Sequence, residues 1–164
     1  VAAGIAKALP YNKVTAGKPL VALWMHGSPG LAKRPYVPDI KRLIAEEYMG
    51  MLPSYVVMDD ALNAENFYRH EDIMRLSREV GAEYVVICGI DGNQSKDKNY
   101  WYVVLNQGIF KADGSLMSIV TFAKKVSATG NIQATGENLL SAKEELQRHL
   151  PFVTVEQQKL FCYY

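Results

Sequence analysis

Ala82-Glu83-Tyr84-Val85-Val86-Ile87-Cys88-Gly89-Ile90 is a nearly unbroken apolar run that follows Val80-Gly81. A run of this length, rich in Val and Ile and bounded by glycines, reads as a strand buried on both faces. Two similar runs precede it, Val21-Ala22-Leu23-Trp24-Met25 and Tyr55-Val56-Val57-Met58. A helix-like segment separates each run from the next. The three therefore predict a small parallel sheet with the third run at its centre.

Working outward, the first strand is expected from about Leu20 to His26, followed by a loop punctuated by Gly27, Pro29, Gly30, Pro35 and Pro38. Pro38-Asp39 suits a helix start, because proline is pre-set for the first turn and aspartate favours the positive end of the dipole. Ile40, Leu43, Ile44, Tyr48 and Met51 recur at three- and four-residue spacing, while Lys41, Arg42, Glu46 and Glu47 fall mainly off that face. This is the pattern of an amphipathic helix. Gly50 and Pro53 end it, and a second strand follows from about Ser54 to Met58, leading to Asp59-Asp60. A second helix spans Glu71 to Val80, with Ile73, Leu76 and Val80 on one side and Gly81 at the expected C-terminal position.

Beyond the third strand the period changes. Gly92 to Asn99 reads as a polar loop. Tyr100 to Lys111 and Leu116 to Val126 are strand-like runs joined by Ala112-Asp113-Gly114-Ser115, and Asp-Gly between such runs signals a hairpin. A last helix is expected from about Glu137 to Leu150, with Leu139, Ala142, Leu146 and Leu150 on one face and Pro151 as its stop. The order is βαβαββα, an α/β fold whose mixed sheet has three parallel strands extended by an antiparallel hairpin. Right-handed crossovers pack the helices on the faces. The arrangement is similar to that of anticodon-binding domains.

The chain has 164 residues, enough for one domain with a real core. The expected division is a leader at 1–18, a single α/β domain at 19–150 and an apolar tail at 151–164. Apolar content is 49%, charged content 21% and formal net charge +1, which argues against a broad nucleic-acid footprint. Lys33-Arg34, Lys41-Arg42 and Lys124-Lys125 are scattered and read as solvated faces. No apolar run approaches the ~18 residues needed to span a bilayer. The small-residue start at Val1 fits either the mature end of an exported protein or an arbitrary boundary.

Several stretches invite a chemical reading. Met25-His26-Gly27-Ser28-Pro29-Gly30 resembles the His-Gly loop of α/β-hydrolases, but that chemistry also needs a Gly-x-Ser-x-Gly elbow, and none occurs. Phosphate-binding glycine motifs are absent as well. Ligands of parallel α/β sheets sit outside the carboxyl ends of the strands. Those ends carry His26 and Ser28, then Asp59 and Asp60, then Asp91 and Asn93. Together they could hold a ligand or a hard cation, or share a proton; the competing reading is that the aspartates cap turns and helices. His70 and His149 read as structural or exposed. The two cysteines, Cys88 in the central strand and Cys162 in the tail, cannot be placed at bridging distance from sequence. No metal or cofactor is expected. On the hairpin, Tyr100 and Tyr102 share one face while Trp101, Val103 and Leu105 share the other. One face should be core; the other is a possible contact surface, with cross-strand packing the default.

Ordered along the chain, several of these stretches resemble the TolB amino-terminal-domain, CsgG and LpoB-like group of bacterial envelope proteins. The matching segments are Tyr55-Val56-Val57-Met58-Asp59-Asp60-Ala61-Leu62, then Glu79-Val80-Gly81-Ala82-Glu83-Tyr84-Val85-Val86, then Gly89-Ile90, the Asp113-Gly114 turn and the final helix. The resemblance implies a non-catalytic, extracytoplasmic module working through contacts with an envelope protein or cell-wall component. It implies no catalytic residues. The proline-rich loop from Gly27 to Pro38 departs from the group's pattern, no mature N-terminal cysteine for lipidation is seen, and the membrane-spanning hairpins of its channel-forming members are not visible. The leading expectation is thus an interaction or assembly module, not membrane-spanning, periplasmic, cell-surface or secreted, with oligomerisation through the hairpin or tail. The alternative is a small enzyme or ligand-binding domain using the strand-exit residues.

Overall fold

A computed structural model describes residues 12–27, 37–59, 69–127 and 131–154. The elements are β1 (Val21–Gly27), α1 (Val37–Met51), β2 (Tyr55–Asp59), α2 (His70–Val80), β3 (Tyr84–Gln94), β4 (Tyr100–Lys111), β5 (Leu116–Ser127) and α3 (Asn131–His149). The strands form one five-stranded sheet in the order β2-β1-β3-β4-β5. β1 pairs parallel with both β2 and β3; β3, β4 and β5 form an antiparallel meander. The βαβαββα expectation is met, although β1, not β3, is the middle of the parallel trio.

Strand alternation sorts the core into two layers. On one side α1 and α3 pack over Leu23, Met25, Val86, Cys88, Leu105 and Ile109. On the other, Ile73 and Leu76 of α2 pack over Trp24, Met58, Val85, Ile87 and Phe110. Leu23, Trp24, Ile73, Ile87 and Ile109 are all fully buried. Each such side chain contributes about 1.5–3 kcal/mol by leaving water. A helix on both faces explains why β1 and β3 can be apolar without alternation.

Two elements run further than their local sequence predicts. β3 continues through Asp91, Gly92, Asn93 and Gln94, which pair with Val104, Val103, Tyr102 and Trp101. Polar residues are tolerated there because an antiparallel ladder can leave one face solvated. The connection to β4 shrinks accordingly to Ser95–Asn99, tied by the Asp97 carboxylate to Ser95 Oγ and the Asn99 amide. α3 starts well before Glu137, across Thr135 and Gly136, both weak helix formers. Ala134 is buried against Trp101 and Val103, and Asn138 Nδ2 donates to the Val103 carbonyl at 3.1 Å. Tertiary contacts hold this first part of the helix, not local propensity.

The ends of the described chain also close onto the sheet. Lys13 bridges Tyr55 in both directions, at 3.0 and 2.6 Å, and the Val57 amide donates to Asn12 Oδ1. Past α3, Val153 is buried, Phe152 meets the Tyr84 ring at 5.6 Å, and the Thr154 amide donates to the Met51 carbonyl.

The hairpin turn is pinned to α2. Gly114 adopts φ +84°, and a β-carbon there would lie 2.9 Å from both the His70 carbonyl oxygen and its ring. Gly114→Ala therefore meets two penalties, a left-handed backbone and a backbone atom that cannot swing aside. The expected loss is about 1–3 kcal/mol, read as a lower urea midpoint with an unchanged slope.

Candidate functional site

The predicted strand-exit residues are only partly brought together. Ser28 and Asp60 lie outside the described residues. Asp59 closes β2 and stands beside Met25 in register, whereas His26 stands beside Gly89. Asp91 is not at a strand exit but inside β3, opposite Val104, where its Oδ1 accepts the Gly92 amide at 2.8 Å. Asn93 is likewise within β3, opposite Tyr102. His26 and Asp91 share the α2 side of the sheet, with Gly89 between them in the pattern of alternation. Among the described residues no group of three His, Cys, Asp or Glu side chains could hold a metal ion.

A second polar group is sealed inside the core. Tyr48 of α1 donates its hydroxyl to Gln107 Oε1 at 2.5 Å, and Gln107 Nε2 donates to the Ala142 carbonyl of α3 at 2.9 Å. Cys88, opposite Gln107 in the ladder, lies against the Tyr48 hydroxyl. Burial pushes the Cys88 thiol up to about 12, and burial followed by the thiol's proximity pushes the Tyr48 phenol well up. A thiol this reluctant to ionise is a poor nucleophile. Native Cys88 should alkylate about a thousandfold more slowly than an unfolded thiol at the same pH, as mass mapping of labelled peptides would show. Both groups hold their protons more tightly folded than unfolded. The Cys88 contribution to stability is thus complete below the ordinary thiol value of 9.0 and declines as pH rises from there toward about 12, and that of Tyr48 declines only above the ordinary phenol value of 10.0. Close by, Lys143 Nζ of α3 meets Glu47 Oε2 of α1 at 2.6 Å. These groups lock α1, β4 and α3 together and offer no solvent-facing chemistry.

What faces solvent is the β4–β5 end of the α2 side. The covering residues of α2 reach Phe110 but not the far half of the hairpin. Register aligns Tyr102 with Lys125, Val104 with Ala123, Asn106 with Thr121 and Gly108 with Ile119. Tyr100 and Tyr102 are each 42% exposed, Ile119 43% and Leu116 57%. The Lys125 ammonium sits 4.4 Å from the Tyr100 ring centroid and 6.0 Å from that of Tyr102, a cation–π arrangement that holds the rings in place. Thr121 Oγ1 donates to Asn106 Oδ1 at 2.6 Å. The opposite faces of the same strands are core: Trp101, Val103 and Leu105 are buried, and Phe122 packs against the α3 layer. The tyrosine face is therefore a surface rather than a packed interior. Its tyrosines were readable from the β4 alternation; its β5 half, Leu116 and Ile119, was not. A bulge between Ile109 and Phe110 in the ladder shifts Leu116 onto this face.

No family model matches the chain, and no curated protein matches it. Solved structures do. A PelC dodecamer from Paraburkholderia phytofirmans superposes with a TM-score of 0.52 at 12% identity, covering 84% of this chain and 94% of that one. The fold is similar to that of PelC. Less close superpositions include the lipoprotein GNA1162 from Neisseria meningitidis (TM-score 0.40, 10% identity, 81% and 99% covered) and the LpoB C-terminal domain from Salmonella enterica (TM-score 0.35, 15% identity, 75% and 93% covered). The PelC likeness is one of fold. No described helix is long and apolar enough to cross a membrane.

Proposed function

We propose that this chain is a non-catalytic, extracytoplasmic interaction or assembly module of a bacterial envelope, and that it contacts an envelope protein or cell-wall component through the tyrosine face of the β4–β5 hairpin. The carrying observation is the joint exposure of Tyr100, Tyr102, Leu116 and Ile119 on one sheet face whose reverse side is core. Aromatic and apolar residues are what the centres of protein interfaces use, since they supply large contact area at low entropic cost. The ordered resemblance to the TolB, CsgG and LpoB-like group supports the compartment. The PelC-like fold supports assembly as the mode of action, because the matched PelC structures are dodecamers.

The test is capture from envelope extracts on the immobilised chain, beside a Tyr100→Ala/Tyr102→Ala variant whose circular dichroism matches wild type. A component identified by mass spectrometry should bind the wild type and bind the variant roughly tenfold or more weakly. Equal binding by both would remove the face from the function. Turnover of a substrate with no partner captured would overturn the reading altogether.

A further inference from the structure

The two edges of the sheet are not equivalent. At β2, the outward backbone groups of Tyr55 are taken by Lys13, and the Val57 amide is taken by the Asn12 side chain. At the other end β5 is the last strand, and among the described residues nothing pairs with its outer edge. It is also long, Leu116–Ser127 against the five residues of β2. A long open edge is a template for another strand.

We propose that the outer edge of β5 pairs antiparallel with β5 of a second copy of this chain, joining two sheets into one across a two-fold axis at Ile119. The edge sequence is self-complementary in that direction. Leu116-Met117-Ser118-Ile119-Val120-Thr121-Phe122-Ala123 carries no charge and is rich in strand formers. Asp113 lies beyond one end of it and Lys124-Lys125 beyond the other. Asp113 lies in the turn just before β5, so the two-fold sets the turn of one copy beside the basic end of the other at both ends of the interface. Parallel pairing would instead stack Lys124-Lys125 on their own copies, which like charge disfavours.

A two-fold perpendicular to the sheet keeps the faces in step. Directly opposed residues then point to the same side, so α3 of each copy lies on one side and the two tyrosine faces merge on the other. Because the β2 edge is already closed by the chain's own residues 12 and 13, pairing stops at two copies. A closed dimer follows, not a filament. This inference stands apart from the partner-binding reading: Ile119 belongs to both, but strand pairing uses the backbone edge of β5, and the Tyr100→Ala/Tyr102→Ala variant on β4 tests partner binding with that edge intact.

Sedimentation equilibrium over a concentration series reaching the high micromolar range should give a monomer–dimer equilibrium. Ile119→Lys, which sets two ammonium groups against each other at the axis, should weaken it about tenfold or more while leaving the melting curve cooperative. Ile119→Cys gives a second readout that needs no loss of fold. Opposed Cα atoms at a two-fold in an antiparallel pair lie within disulfide range, so mild oxidation should yield a covalent dimer, whereas Val14→Cys, also exposed but away from β5, should not. A wild-type chain that stays monomeric throughout overturns the proposal. So does a dimer indifferent to Ile119→Lys, or one that Ile119→Cys fails to cross-link.

Discussion

Gln107→Leu should cost this fold about 1–3 kcal/mol, a loss out of scale with the small change in volume. Gln107 is the point where three elements meet: it accepts the Tyr48 hydroxyl of α1 and donates to the Ala142 carbonyl of α3 from the middle of β4. All of this is removed from water. Leucine leaves the buried Tyr48 hydroxyl without its acceptor, an orphan that costs about 1–3 kcal/mol, while the Ala142 carbonyl keeps its place in the α3 ladder and loses only its second donor. The Cys88 sulfur beside the phenol recovers a little of this, as a weak acceptor. Tyr48→Phe should cost less on its own, because the Gln107 amide keeps its bond to Ala142. The double variant should be more stable than the sum of the two losses predicts, as chemical denaturation in a double-mutant cycle would reveal. Strict additivity would mean that the two side chains do not share their energy.

The second large effect is expected at the Glu47–Lys143 pair. The Lys143 side chain is 3% exposed and that of Glu47 23%, so the ammonium is the more deeply buried partner. Glu47→Ala strands that charge in the core and should cost about 3–5 kcal/mol. Replacing both, as in Glu47→Leu with Lys143→Met, should return the protein to near wild-type stability, because an apolar pair needs no desolvation. Thermal melts of the single and double variants separate the two outcomes. A double variant as unstable as Glu47→Ala would show that the pair, rather than the packing around it, holds α1 to α3.

These two sites also mark where the sequence stops being legible. Runs such as Val21–Met25 and Ala82–Ile90 declare themselves because strands covered on both faces need uninterrupted apolar residues. The Asp113-Gly114 turn declares itself because few residues adopt φ +84°. Gln107 and Lys143 carry no such mark. Lys143 does sit one helical turn after Leu139, on the same stripe as Leu146, so its burial follows from periodicity once the stripe is trusted over the charge. Gln107 alternates with Leu105 and Ile109 in the same way. Their partners come from residues far along the chain, and no local pattern encodes those.

The candidate surface was legible to a different degree. Tyr100-Trp101-Tyr102 announces a strand with two unlike faces, and burial assigns Trp101 to the core and leaves both tyrosines part-exposed. Which helix covers which end of the sheet is a tertiary fact, and it decides that the tyrosines stay in contact with solvent. The strand-exit grouping shows the opposite. Asp91 looks like an exit residue only if β3 ends at Ile90, and the ladder to β4 carries it on to Gln94.

The arrangement of the strands has a consequence in time. β3, β4 and β5 join through tight connections, so their ladders close short stretches of chain. β1 must wait for α1 before meeting β2 and for α2 before meeting β3, since parallel partners need a crossover. Closing longer loops costs more entropy before any contact rewards it. Pulse-labelled amide exchange during refolding should therefore protect β3–β5 first and β2, the short strand stitched by Asn12 and Lys13, last. A refolding chain would have its long open β5 edge in place while the parallel half is still forming. In that interval of refolding the protein would be most exposed to unwanted strand pairing, and a chaperone would find most to cover.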